Sequence, residues 1–361
     1  MKRCLFLMLA LAIVMLSSFT DPSNFIDLSR SGTANCYIVS KSGYYKFHAV
    51  KGNSTISVGS VSSVAVLWES YGTDVEPSVG ALIKMVAFNK GYIAFQTADT
   101  FKEGNAVIAA KDANGKILWS WHIWFTDQPK EQVYYNNAGT MMDRNLGATS
   151  ATPGDVGALG LFYQWGRKDP FLGSSSVIGS TLAKSTIAWP SAVSSDPSNG
   201  TIAYATANPT TFIKYNRNNY DWYYTGSSST DDTRWTTSDK TKSIYDPCPS
   251  GWRVPDGGDN GVWSKALGSS SYFSHTYNSS NAGMNFSDKF GSDSTIWYPA
   301  SGFRESYSDG GLYGAGDGDN YWSASPHPYN AYYMRFFSNG LVYPSTYSYR
   351  AHGFSVRCLQ E

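Results

Sequence analysis

Long runs with helical periodicity are scarce in this chain; its apolar residues come in short alternating runs cut by Gly, Ser, Asn and Pro. Ile117 to Phe125 shows the pattern most clearly. Trp119, Trp121 and Ile123 fall on one face of a strand, with Ser120, His122 and Trp124 on the other. The first face reads as core, and Trp124 is placed to pack against a neighbouring domain. Asn114-Gly115, just before this run, signals a tight turn. Upstream, Cys36-Tyr37-Ile38-Val39, Ser42-Gly43 and Tyr44-Tyr45-Lys46-Phe47 read as a hairpin. Val64 to Trp68, Leu82 to Phe88, Tyr92 to Phe95 and Ala106 to Ala110 continue the series, and seven or so short strands in about 100 residues fit a β-sandwich. The polar, proline-containing stretch Thr126 to Glu131 ends the series, so the expected domain spans 21–130.

Residues 1–20 have the layout of a secretory leader: Lys2 and Arg3, an apolar run from Leu5 to Leu16, then Ser17 and Ser18. About twelve apolar residues are too few for the roughly 20 that span a bilayer, so no membrane span is expected after the leader is removed. Cys4 precedes the apolar run, which argues against a lipid anchor. The chain has 361 residues with 28 basic and 28 acidic side chains, and losing Lys2 and Arg3 leaves a net charge of −2 with neutral histidines. That balance gives no basic patch for nucleic acid. Only 16% of residues are charged while 16% are Phe, Trp or Tyr, the composition of a loop-rich, mainly β, extracellular protein.

Three cysteines remain after the leader: Cys36, Cys248 and Cys358. An oxidising destination favours one disulfide. Cys248 and Cys358 both lie in the C-terminal half and are the expected pair, while Cys36 reads as a small buried hydrophobe in a strand. From about 173 to 243 the chain is rich in Ser, Thr, Asn and Pro, yet it carries Trp189, Phe212 and Tyr220 to Tyr224. A plain linker would lack these rings, so the segment reads as a polar insertion packed on the C-terminal domain. Arg253-Val254-Pro255 ends a strand that leads, through Asp256-Gly257-Gly258, into a helix at Gly261 to Leu267 with a side-chain N-cap. Alternation in Tyr332 to Phe337 and in Phe354 to Cys358 predicts two late strands, each with one buried face.

Six motifs occur in order in residues 131–361. They are Met142-Asp143-Arg144-Asn145-Leu146-Gly147-Ala148, Tyr163-Gln164-Trp165-Gly166-Arg167-Lys168-Asp169-Pro170-Phe171, Asp246-Pro247-Cys248-Pro249-Ser250-Gly251-Trp252-Arg253-Val254-Pro255, Trp297-Tyr298-Pro299-Ala300-Ser301-Gly302-Phe303-Arg304, Tyr321-Trp322-Ser323-Ala324-Ser325 and Gly353-Phe354-Ser355-Val356-Arg357-Cys358. Together they resemble the Fibrobacter succinogenes major paralogous domain family, found in exported proteins of Bacteroidota and similar in fold to C-type lectins. Asn35 to Val39 and Val50 to Asn53 resemble the β-domain that precedes it in fimbrillin-like and putative cell adhesion proteins. The resemblance implies a mainly β chain, with an N-terminal β-sandwich followed by an α+β C-type-lectin-like domain, and display on the cell surface (outer membrane) or at a fimbrial tip.

The expected ligand surface lies between Tyr307 and Arg350: Tyr307, Tyr313, Asp317, Asp319, Asn320, Tyr329, Tyr333, Tyr343, Tyr347, Tyr349 and Arg350, set among Gly and Ser. Tyr gives a rigid contact with a polar tip, and Gly, Ser and Asn give adaptable hydrogen bonding. The alternative is that these tyrosines fill a domain short of aliphatic residues. The segment also looks like the variable region of retroelement-diversified proteins on the same scaffold. Gly316-Asp317-Gly318-Asp319-Asn320 reads as a polar turn, not a calcium loop, because an EF-hand's later acidic ligand is missing.

No metal or other cofactor is expected, and the five histidines are scattered, with no HExxH, GxSxG or phosphate-loop spacing. Arg144, Arg253 and Arg304 read as loop-fixing ion-pair partners. The expected function is a non-enzymatic, adhesin-like protein that binds a glycan or a surface protein, with pilus subunits as further partners. A structural pilus subunit without a small ligand is the alternative, and a degenerate enzyme of the formylglycine-generating type is a weaker one.

Overall fold

The computed structural model describes residues 25–361, so the leader expected at 1–20 lies outside the described residues. The protein is mainly β, with 36% strand and 4% helix spread over several sheets. Among the described residues no helix is long and apolar enough to cross a membrane.

The first strands are β1 (Ile26–Asp27), β2 (Cys36–Val39), β3 (Tyr44–His48), β4 (Ser63–Ser70), β5 (Ile83–Asn89), β6 (Tyr92–Thr97), β7 (Gly104–Lys111) and β8 (Ile117–Phe125). They form two four-stranded sheets, ordered β1-β3-β6-β5 and β2-β8-β7-β4, which share one cluster of buried side chains. In the β7–β8 ladder Trp119 faces Ala110 and Ile123 faces Ala106, so each large side chain meets a small partner. The turn between them is built as its sequence predicts: Gly115 is left-handed at φ +80°, and Asp112 Oδ1 accepts from the N–H groups of Asn114 and Lys116.

The hairpin expected from Cys36 to Phe47 does not form. β2 pairs in parallel with β8 in one sheet, whereas β3 pairs with β1 and β6 in the other. Ser42-Gly43 therefore carries the chain across the core, where Tyr37 and Phe47 stack at 4.6 Å. Both strands bury large rings inward, and facing one another across two sheets covers them better than lying side by side.

The outer face of β8 is also covered. Trp124 Nε1 donates to the Ala148 carbonyl at 2.9 Å, and His122 Nε2 meets Asn105 Oδ1 at 2.8 Å. Asn105 in turn donates to the Gly147 carbonyl. Cys36, Trp68, Val107 and Trp124 share a second buried cluster with Met142, Leu146, Trp165, Trp235, Trp322 and the Cys248–Cys358 disulfide.

The remaining elements are β9 (Glu131–Tyr134), β10 (Gly139–Met142), β11 (Phe162–Gln164), β12 (Val193–Ser194), α1 (Ile202–Ala207), β13 (Ile213–Lys214), β14 (Trp252–Arg253) and α2 (Val262–Leu267). They are followed by β15 (Phe273–Ser274), β16 (Tyr277–Asn278), β17 (Gly283–Asn285), β18 (Trp297–Pro299), β19 (Phe303–Arg304) and β20 (Leu312–Tyr313). The chain ends with β21 (Gly318–His327), β22 (Asn330–Phe337), β23 (Leu341–Ser348), β24 (Gly353–Ser355) and β25 (Leu359–Gln360). The largest sheet runs β15-β23-β22-β21-β24-β19-β20, with β11 paired to β24. β25 joins β14 and β10 in another sheet, and Cys358 beside it closes a 110-residue span back to Cys248.

Several local expectations change. Gly261 caps α2 without a side-chain hydrogen bond. In β22 the alternation breaks at a register shift between Tyr333 and Arg335, which buries Tyr333 and Met334 together. β24 is buried on both faces, because Phe354 packs on Trp322 and Tyr333 while Ser355 Oγ donates to the Asp319 carboxylate. The segment at 173–243 packs on both halves: Ser70 Oγ donates to the Lys184 carbonyl, and Gln164 Nε2 donates to the Ile213 carbonyl.

Candidate functional site

The β23–β24 connection and two loops packed against it create an aromatic surface. The first loop follows β13. Asn216 Oδ1 accepts from the N–H groups of Asn218 and Asn219, and Tyr220 N donates to the Asn216 carbonyl, so the loop closes on itself. Its last residue, Tyr220, is left-handed at φ +54° and stacks on Tyr349 at 4.4 Å with planes 10° apart. The second loop follows β19, where the Glu305 carboxylate accepts from Tyr307 N at 2.5 Å and from Ser308 N at 3.1 Å. That turn sets Tyr307 edge-on to Tyr215, Tyr349 and His352.

Beneath this surface the rings continue inward. Tyr349 stacks over His352, His352 over Phe354, and Phe354 over Trp322. Burial, helped by Arg335, pushes the His352 imidazole down to about 4, so it is neutral at pH 7. Its Nδ1 accepts from Ser306 N at 3.2 Å, which ties the Tyr307 loop to the column.

Phe303 meets His352 and Phe354 edge-on and links this surface to a cleft of about 410 Å³. Asp317 just before β21, Asp319 and Asn320 from its start, and Arg335 and Phe337 from β22 border the cleft. Asn320 and Arg335 are direct partners across the β21–β22 ladder. The Arg335 guanidinium lies 3.9 Å from the centroid of the Phe337 ring. Asp319 is buried, and its carboxylate accepts from Asn320 N, Ser301 N and Ser355 Oγ. Burial outweighs these bonds and raises its pKa to about 8.

The residues expected from sequence divide into several groups. Tyr307 and Tyr349 share the aromatic surface. Asp317, Asp319 and Asn320 share the cleft, and exposed Tyr313 packs beside it on Phe303 at 6.3 Å. The expected polar turn is shorter than its sequence implies, because Gly318, Asp319 and Asn320 already belong to β21, where pairing with β22 holds them extended. Tyr333 is buried against Trp322 and Phe354, beneath the surface and not on it. Tyr343 packs against Tyr272 and Phe337. Tyr347 stacks on His327 at 3.9 Å, and Tyr329 borders a separate groove with His327 and Asp232.

Arg350 is a correction: it is 0% exposed and cannot face a ligand. Its guanidinium donates to the carbonyls of Asn330, Asp231 and His327 and to Asp232 Oδ1, and it covers Trp165 at 4.3 Å. Of the loop-fixing arginines, Arg144 pairs with Asp143 and Asp127, and Arg253 with Asp256. Among the described residues Arg304 has no ion-pair partner; it donates to the Gly310 carbonyl and lies over Phe171 and Phe212.

Sequence reading missed Tyr215, Tyr220, Phe303 and Arg335 as site residues. The aromatic island at 220–224 was the available signal for Tyr220, but nothing local says that it returns to Tyr349. Among the described residues no group of three His, Cys, Asp or Glu side chains comes together to hold a metal. Comparison with protein-family models, curated proteins and solved structures returned no match for this chain.

Proposed function

We propose that this chain is an exported, adhesin-like binding protein, secreted or held at the cell surface or on a fimbrium, that takes a glycan or protein ligand. In this reading residues 21–130 are a β-sandwich serving as stalk or assembly module. Residues 131–361 are a C-type-lectin-like domain resembling the Fibrobacter succinogenes major paralogous domain. The six ordered motifs support that resemblance. The buried Cys248–Cys358 bridge supports a structural role for those cysteines over a reactive pair.

One observation carries the ligand reading: Tyr215, Tyr220, Tyr307 and Tyr349 form a mutually packed group that reaches solvent, with Tyr307 54% exposed, beside a polar cleft. Rigid rings with polar tips around a concave site are the usual anchors of recognition. The test is binding of the leaderless chain to glycan and surface-protein arrays. The double variant Tyr307→Ala, Tyr349→Ala is expected to lower affinity for the best array ligand about tenfold or more. A chain that captures only copies of itself or pilus subunits would support the structural-subunit alternative instead.

A further inference from the structure

The cleft bordered by Phe303 of β19, Gly314 and the facing parts of β21 and β22 holds a polar pair that the protein leaves incomplete. Asn320 is 4% exposed, and its Oδ1 has no hydrogen-bond partner among the described residues. A buried acceptor without a donor is costly, so the site is complementary to a ligand that brings one. Opposite it, Arg335 lies over Phe337 and contacts Tyr333, but among the described residues it pairs with no carboxylate. Arg335 presents guanidinium donors to the cleft and Asn320 Oδ1 lacks a donor, and the two are ladder partners.

Charge narrows the choice. Asp317, exposed at the rim, and Arg335 carry opposite charges, so together they give neither a carboxylate nor an ammonium group a net attraction. Asp319, the remaining titratable group lining the cleft, is mostly uncharged at pH 7 because burial raises it to about 8. A neutral ligand meets no repulsion from either end. Hydroxyl groups both donate and accept, and a saturated ring offers C–H bonds to the Phe303 face. The volume, about 410 Å³, lies in the ~300–1,000 Å³ range of small-molecule sites.

We propose that this cleft is a subsite for one uncharged sugar residue of a glycan, with one hydroxyl donating to Asn320 Oδ1, a neighbouring oxygen accepting from Arg335, and the ring lying on Phe303. The proposal deepens the reading of the aromatic surface as a ligand face, and rests on it.

Saturation-transfer NMR on the leaderless chain tests it with methyl glycosides of neutral hexoses and N-acetylhexosamines, alongside glucuronic acid and glucosamine. At least one neutral glycoside is expected to receive saturation, and the charged sugars none. Arg335 is partly exposed and, among the described residues, pairs with no carboxylate, so Arg335→Ala is expected to preserve the fold; Asn320→Leu is the second variant, and thermal melting checks both. Each is expected to weaken the neutral-sugar affinity about tenfold or more. Absence of saturation for every neutral sugar, or a signal unchanged in both variants, overturns the subsite. Array binding lost in Tyr307→Ala, Tyr349→Ala but kept in Arg335→Ala also overturns it while leaving the ligand face standing. A wild-type chain that binds nothing on either array removes both.

Discussion

Trp119 donates its indole N–H to Asn35 Oδ1 at 3.0 Å, and Asn35 Nδ2 donates in turn to the carbonyls of Ile244 and Asp246, both at 2.8 Å. One buried amide thus joins the β8 strand to the segment that precedes Cys248. Asn35→Ala leaves an indole N–H and the Ile244 carbonyl without partners and the Asp246 carbonyl with only Asn53 Nδ2 at 3.4 Å, and is expected to cost about 2–4 kcal/mol. Gly52→Ala acts at the same place, because a Cβ there would lie 2.3 Å from Asn35 Oδ1. Urea denaturation followed by tryptophan fluorescence measures both; a midpoint unchanged in Asn35→Ala would show that the amide joins nothing of consequence.

Thiol accounting checks the cysteine assignment. Cys36 is buried, and desolvation pushes its thiol far above the ordinary cysteine range, so it is neither accessible nor a thiolate at neutral pH. The leaderless native chain is expected to show no thiol reactive with Ellman's reagent, and one after denaturation without reductant. Replacing Cys248 and Cys358 together by serine removes the 110-residue cross-link and is expected to lower stability. The chain-entropy estimate for so long a loop is about 4–5 kcal/mol.

Much of this architecture was legible because strand signals are local. The runs at Val64, Leu82, Tyr92, Ala106 and Ile117 each became a strand, and alternation placed Trp119 and Trp121 inward. Trp124 was also readable, since an aromatic on the polar face of a strand needs something to cover it. Pairing was not legible: whether β2 meets β3 or β8 depends on which sheet buries more ring surface, and no residue of the Ser42-Gly43 turn encodes that. The site was legible in composition only. Tyr307 and Tyr349 looked no different in sequence from buried Tyr333, whose fate is decided by a register shift in β22.

Asp319 gives the protein a pH dependence of definite sign. Its carboxyl has an ordinary pKa near 3.9 when unfolded and about 8 when folded, so between those values the folded state keeps a proton that the unfolded state has lost. Its contribution to stability is complete below about pH 4 and is lost as pH rises through 8. His352 and His122, lowered to about 4 and about 3 by burial, act oppositely and destabilise as pH falls below about 6.5. The difference between wild type and Asp319→Asn isolates the carboxyl. The melting temperature of the variant relative to wild type is expected to rise steadily from pH 5 to pH 8.5, and a flat difference would place Asp319 in an ordinary, ionised environment.

Asp221 supplies the strongest test of the interior. Arg234 makes a two-pronged pair with it, Arg350 lies 3.8 Å away, and all three side chains are buried. The two guanidinium groups also flank Trp165, at 5.0 and 4.3 Å from its ring. Asp221→Asn leaves two cations facing each other without their shared anion, and is expected to cost about 3–5 kcal/mol. Arg350→Met should cost less than Asp221→Asn, because it removes a charge instead of stranding one, although it takes a donor away from the carbonyls of Asn330, Asp231 and His327. Chemical denaturation of the two single variants and the double variant reads the coupling directly. If Arg350 acted in ligand contact alone, its variant would lose binding at unchanged stability; a core role requires the stability loss to come first and to shrink when Asp221 is replaced as well.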